Sequence, residues 1–236
     1  MTLPKIETPK YHLTLPSNQE TVEFRPFLVK EEKVLMIAQE AGSDFTMISA
    51  MKDVIASCTF NKLDLYSIPM SDIEYVLLQI RAKSVGETSK LKFKCAETNE
   101  FVSVEIDLSK IEVKGYEEKL DNNIQLTDDV GITVKSPGLK DAEKQARGKK
   151  QSDAESMLAN LRSVIESVYD SDAVYPFSDV SVKEADTFIE SLSSDQVSKI
   201  RDWVEKLPVL KHEIQFKGPK GHDNTIVLRG LGDFFH

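Results

Sequence analysis

The sequence predicts an α+β fold in which amphipathic helices pack with three or more antiparallel β-hairpins in two subdomains. Two patterns carry this reading. Apolar and polar residues alternate on both sides of turn-forming residues at 11–28, 90–108 and 210–228. Between these stretches, apolar residues recur every three or four positions, the spacing of one helix face. A chain of 236 residues with 40% hydrophobic and 29% charged residues is long and apolar enough to bury a substantial core.

Residues 11–15, YHLTL, and 21–24, TVEF, flank the turn Pro16-Ser17-Asn18-Gln19 and predict the first hairpin. Pro26 ends its second strand or places it at an edge. Three helices follow. The first spans 29–41, carries Val34, Leu35, Ile37 and Ala38 on its period, and stops at Gly42. The second is capped by Ser43 or Asp44 and reaches Cys58, with Phe45, Ile48, Met51, Val54, Ile55 and Cys58 as its stripe. Cys58 on that stripe reads as core filler. The third is capped by Ser71 or Asp72, runs through Lys83 and is closed by Gly86. Three short helices with brief connections predict a small bundle packed on the hairpin.

The period then changes to two. Residues 90–95, KLKFKC, and 101–108, FVSVEIDL, enclose a turn and predict the second hairpin. Residues 115–123 read as a charged linker, and 124–126 with 131–135 as a strand pair closed by Pro137-Gly138. Residues 139–169 read as mainly helical, polar nearly all round at first and then striped by Met157, Leu158, Leu161, Val164, Ile165 and Val168. Residues 173–177 form a connector or short strand. Two helices, 181–192 and 194–205, follow, the second with Asp195 as its cap and Pro208 as its stop. The last hairpin pairs 210–216 with 225–228 around Lys217-Gly218-Pro219-Lys220-Gly221. The boundaries read from these patterns are a first domain at 1–114, a strand-containing connector at 115–138, and a C-terminal part at 139–236.

The second and third hairpins resemble each other. Leu91-Lys92-Phe93-Lys94-Cys95 aligns with Ile214-Gln215-Phe216-Lys217-Gly218, each leading through a turn to an apolar return strand, as a short internal duplication would.

Several function classes find no support. No phosphate-binding glycine loop and no G-x-S-x-G elbow occurs. The two cysteines, Cys58 and Cys95, supply no zinc-knuckle pair, and a site from Cys95, His212 and His222 would require the two later hairpins to meet. The acidic pairs Asp128-Asp129 and Glu117-Glu118 lie in loops with no base, nucleophile or metal ligand beside them and read as solvated surface. The expectation is therefore no catalytic, cofactor-binding or metal-binding residues, and no enzyme. A net charge of −9 disfavours nucleic acid as the main partner. The alternative reading is a nucleic-acid-binding module using the Lys90, Lys92 and Lys94 strand face; the same lysines also blunt a strand edge. Residues 1–10 hold no apolar core of signal-peptide length, and no stretch approaches the ~20 apolar residues of a membrane helix. The reading is a cytosolic protein with reduced thiols.

Two features suggest a partner. Residues 231–236, LGDFFH, carry Leu231, Phe234 and Phe235, aromatic and apolar anchors that dock either on the chain's own core or on another protein. Residues 25–33, RPFLVKEEK, join the first hairpin to the first helix with an apolar entry at Phe27 and an acidic first turn at Glu31 and Glu32. Phe27 and the exposed strand residue Lys92 complete the candidate partner-binding set.

The opening Leu3-Pro4-Lys5-Ile6, the RPFLVKEEK run, Asp72-Ile73-Glu74-Tyr75 and Arg81-Ala82-Lys83-Ser84-Val85-Gly86-Glu87 resemble the N-terminal signature of baseplate hub assembly proteins of T-even-type tailed phages. The Gly230–Phe235 ending is similar to the ends of related chains, and the match is densest over residues 1 to about 110. The resemblance implies a late-expressed, non-enzymatic viral protein. Such a protein helps build the central hub of a contractile-tail baseplate, as a component or as a chaperone. It implies other phage baseplate hub proteins as partners; a second copy of the chain is a further candidate partner, and the hydropathy pattern points to no membrane. It places the protein in the host cytoplasm during assembly or in the virion tail. Some relatives carry paired cysteines in the hairpin where this chain has Cys95 alone, a departure that speaks against a zinc site here.

Overall fold

The computed structural model describes residues 6–95, 97–116, 120–147 and 152–230. Among them are seven α-helices and eleven strands in four antiparallel sheets, the expected α+β class. The contacts divide the chain into two compact units, one of Met1–Lys114 with Pro208–His236 and one of Gly115–Leu207.

The first unit opens with β1 (Tyr11–Thr14) and β2 (Thr21–Phe24), paired in register Tyr11↔Phe24. Helices α1 (Val29–Ala41), α2 (Asp44–Cys58) and α3 (Met70–Val85) follow. Gly42, at φ 61°, stops α1 in the left-handed conformation expected of a glycine C-cap. Ser43 caps α2 by accepting from the Thr46 N–H. Helix α3 departs from expectation at its start. Pro69 is its N-cap, and Ser71 and Asp72 lie inside the first turn, buried. Asp72 is recruited inward by the first hairpin, whose Ser17 hydroxyl donates to its carboxylate. The apolar residues of α3 wrap most of its circumference (Ile73, Val76, Leu77, Leu78, Ile80) because it is the core helix of the unit, packed on α2, on a short 3-10 turn (Leu108–Lys110) and on two strands of the last sheet.

The second hairpin is β3 (Thr88–Lys94) with β4 (Phe101–Asp107). Strand β5 (Glu112–Lys114) was not foreseen. It pairs antiparallel with β10 (Val209–Lys217), which pairs with β11 (Asp223–Arg229) in the order β11-β10-β5. This nonlocal pairing joins the last hairpin to the N-terminal unit, whereas the boundary expected at 139–236 grouped it with the preceding helices.

A buried ion pair organises the junction after β2. Arg25 donates to Glu31 Oε1 at 2.8 Å and to Ser57 Oγ at 2.9 Å, and Ser57 donates onward to the same Glu31 oxygen at 2.9 Å. The Leu28 N–H takes Glu31 Oε2 at 2.8 Å, and the Arg25 N–H takes the Cys58 carbonyl at 3.0 Å. Strand β2, the start of α1 and the end of α2 are thereby tied to one carboxylate. Its consequence is that α1 turns Glu31 and Ala38 inward, with Leu35 half-buried. Val34 and Ile37, expected in the core, face solvent, because the side of the helix carrying Glu31 is held in by Arg25.

The second unit holds β6 (Asn123–Gln125), β7 (Gly131–Val134), α4 (Leu139–Arg147), α5 (Asp153–Val164), β8 (Ile165–Tyr169), β9 (Val174–Pro176), α6 (Val182–Glu190) and α7 (Ser194–Glu205). The sheet is a meander, β6-β7-β8-β9. Residues 165–169, expected to continue a helix, form β8. Ile165 and Val168 fit a helical stripe, but β-branched residues at 164, 165 and 168 suit a strand, and β8 pairs with both β7 and β9. The core joins Ile124, Ile132, Val134 and Ile165 of the sheet to Leu161, Ile189, Ile200 and Trp203 of the helices. Ser193, not Asp195, caps α7, in a full capping box with Gln196.

Burial alone would raise the Glu31 carboxyl, but the hydrogen bonds from Arg25, the Leu28 N–H and Ser57 outweigh it and hold the pKa at about 2. A carboxylate depressed in the folded state contributes stability that is present above its unfolded pKa near 4.5 and lost as pH falls toward 2. Glu31→Gln is expected to lower the unfolding free energy by about 3 kcal/mol in urea titrations at neutral pH, since it strands a buried guanidinium. The variant should also lose much of the wild-type pH dependence of stability between 4.5 and 2.

Candidate functional site

The candidate surfaces begin with the two hairpins of the first unit. The inner face of β3–β4 carries Leu91, Phe93, Val102, Val104 and Ile106, and that of β10–β11 carries Ile214, Phe216, Ile226 and Leu228. The hairpins meet face to face at their tips, with the Phe93 and Phe216 rings 5.9 Å apart. Residues aligned by the internal resemblance thus sit opposite one another, Phe93 against Phe216 and Cys95 against Gly218. A Cβ built on Gly218 would lie 2.7 Å from Cys95 Sγ, so the tips close only because that position has no side chain.

The tips hold together by hydrogen bonds. His222 Nε2 lies 2.8 Å from Glu97 Oε2. The hydroxyl of Thr98, then the Thr98 and Glu97 N–H groups and the Asn224 amide, surround the Cys95 sulfur and hold its thiol below the usual range. Cys58, in contrast, is pushed up to about 11 by burial. The two hairpins do meet, as a Cys95–His212–His222 site requires. Yet His212 pairs with Leu228, well down the strand from the turn that carries His222. Among the described residues, no three His, Cys, Asp or Glu side chains form a group able to hold a metal ion.

The expected partner-binding residues fall in different places. Phe27 is half-buried at the β2–α1 junction, where its N–H donates to Ser84 Oγ at 2.8 Å. Lys92 is exposed on the outer face of β3, opposite Ser103. Beside it, Lys94 faces Phe101, which is 71% exposed, and Lys90 lies 3.9 Å from Glu105. This outer face is mixed in charge, not a basic stripe, and gives the nucleic-acid reading no support. Leu231, Phe234 and Phe235 lie outside the described residues.

Sequence reasoning missed two exposed features. One is the outer side of α1, with Val29, Val34, Met36 and Ile37 in solvent. The other is β9, an edge strand that exposes Val174 and Tyr175. The signal for the first lay in Glu31, whose partner Arg25 decides which side of α1 is inside. In the second unit, an open groove of about 760 Å3 is lined by Lys135, Asp141, Arg162 and Glu166, among others. Arg162 is paired with Asp186, and Lys135 lies 3.9 Å from Asp141.

Among the described residues the molecule presents strand edges, two clasped hairpins and an exposed apolar helix side. The chain matches, over residues 8–236, the family model described as T4 bacteriophage base plate protein, and it belongs to that family. The resemblance seen in its N-terminal motifs therefore extends over nearly the whole chain as a baseplate protein of T4-type phage. No curated protein and no solved structure matches it significantly. Among the described residues, no helix is long and apolar enough to cross a membrane.

Gly218→Ala is expected to force the hairpin tips apart, at a cost of about 1–3 kcal/mol. Timed thiol labelling reads the effect: Cys95 should react faster in the variant, while Cys58 stays as slow as in wild type.

Proposed function

We propose that the protein acts without catalysis in assembling the central hub of the contractile-tail baseplate, through protein–protein contacts with other hub proteins, as a chaperone or a structural component. The observation that carries this reading is membership of the baseplate family over nearly the whole chain, and the exposed apolar side chains of α1, β4 and β9 agree with it. The hub itself is the narrower step, and it rests on the N-terminal motifs. Contacts with hub partners run through Leu231, Phe234 and Phe235, the anchors typical of an interface core, with Phe27 and Lys92 at the rim. Binding takes place in the host cytoplasm during assembly, and the complex enters the virion tail if the protein is a component.

Affinity capture of the tagged protein from phage-infected cells tests this. The expected result is recovery of baseplate hub proteins, reduced about tenfold or more when residues 231–236 are deleted. Recovery of hub proteins undiminished by the deletion would remove the C-terminal contact and keep the hub role. Recovery of peripheral baseplate proteins alone would overturn the hub assignment.

A further inference from the structure

Helix α1 carries its large apolar side chains on the side away from the core. Its inward positions are Glu31, Leu35 and Ala38. Its outward positions are Val29, Lys33, Met36, Ile37 and Glu40, at the spacing i, i+4, i+7, i+8, i+11 that forms one continuous stripe. Val29 is 79% exposed, Met36 56% and Ile37 54%. A helix packed on a single neighbour ordinarily shows the reverse pattern, and among the described residues nothing covers this stripe.

The charges on the stripe identify the partner. Lys33 and Glu40 are exposed and make no hydrogen bond or ion pair among the described residues. They stand seven positions apart, about 10 Å along the axis, too far to pair with each other. The residues three and four positions from Lys33 are Val29, Lys30, Met36 and Ile37, and those preceding Glu40 at that spacing are Met36 and Ile37, so α1 itself offers neither charge a partner. The order along the stripe is cation, two apolar residues, anion. That order is self-complementary under a two-fold axis passing between Met36 and Ile37.

We propose that α1 docks antiparallel on α1 of a second copy of this chain, with Met36 and Ile37 of both copies at the centre and Lys33 of each facing Glu40 of the other. The antiparallel arrangement also sets each helix N-terminus toward the C-terminus of its mate, which the helix dipoles favour. The interface is isologous, as closed dimers are. A helix of this length alone gives a small contact, so the dimer is weak, with a dissociation constant on the order of micromolar.

Sedimentation velocity on the full chain, at concentrations up to about 200 µM, tests the proposal. Wild type should dimerise reversibly. Met36→Asp, at an exposed position, should abolish the dimer while leaving the circular dichroism spectrum unchanged. Lys33→Glu and Glu40→Lys should each raise the dissociation constant about tenfold by opposing like charges at two symmetric places. The double variant K33E/E40K should return it to within about threefold of wild type, because the reversed charges again complement each other. A monomer at every concentration would overturn the proposal and leave the stripe to a different protein. A dimer indifferent to Met36→Asp, or a double variant no tighter than the singles, would also overturn it.

Discussion

The first unit depends on one buried carboxylate. Glu31 belongs to α1, but its partners come from β2 through Arg25 and from α2 through Ser57. A charge pair away from water is a poor source of net stability, since desolvation consumes most of the attraction. Its contribution is selection. With Glu31 and Ala38 turned inward, α1 has one rotation about its axis that satisfies Arg25. Any other would leave a guanidinium and a carboxylate buried apart. The pair therefore decides which side chains of α1 reach solvent, and the exposed stripe follows from the buried ion pair.

The hairpin clasp works by a different economy. The β3–β4 hairpin has only two strands, which are marginal alone, and β10–β11 gains only the short β5 beside it. Stacked on Phe93 and Phe216, they become two layers sharing an apolar interior, and their tips are closed by Cys95, Thr98, Asn224 and the missing side chain of Gly218. Small β-structures often rely on a metal at such a point. Here hydrogen bonds and a close glycine contact occupy it.

Much of this was legible in the sequence where the signal is local. The bounds of α1 follow from Gly42, and the three hairpins follow from alternation around turn residues. What escaped was set at long range. Pro69 capped α3 because Asp72, the better-looking cap, was already committed to Ser17 across the fold. Residues 165–169 fit a helical stripe until strands on both sides claimed them. The inward side of α1 could not be read from periodicity, which finds a stripe without saying which way it points. Of the candidate partner-binding residues, Phe27 and Lys92 could be placed by their neighbours, while the apolar outer face of α1 lay hidden behind an expectation that Val34 and Ile37 were core.

The pairing of β5 with β10 has a consequence for the order in which the protein takes shape. Between these strands the chain makes the entire second unit, residues 115–207. On a ribosome, β5 and its neighbour α3 emerge early, while β10 and β11 arrive only after more than ninety further residues have been added. The inserted unit has its own core and all of its strands in one stretch, so it can be complete first. The nascent N-terminal unit meanwhile waits with an unpaired strand and a partly bare core helix, and it closes only once β10 has been made. A truncated product that stops before residue 209 would keep a finished second unit and leave the first one open.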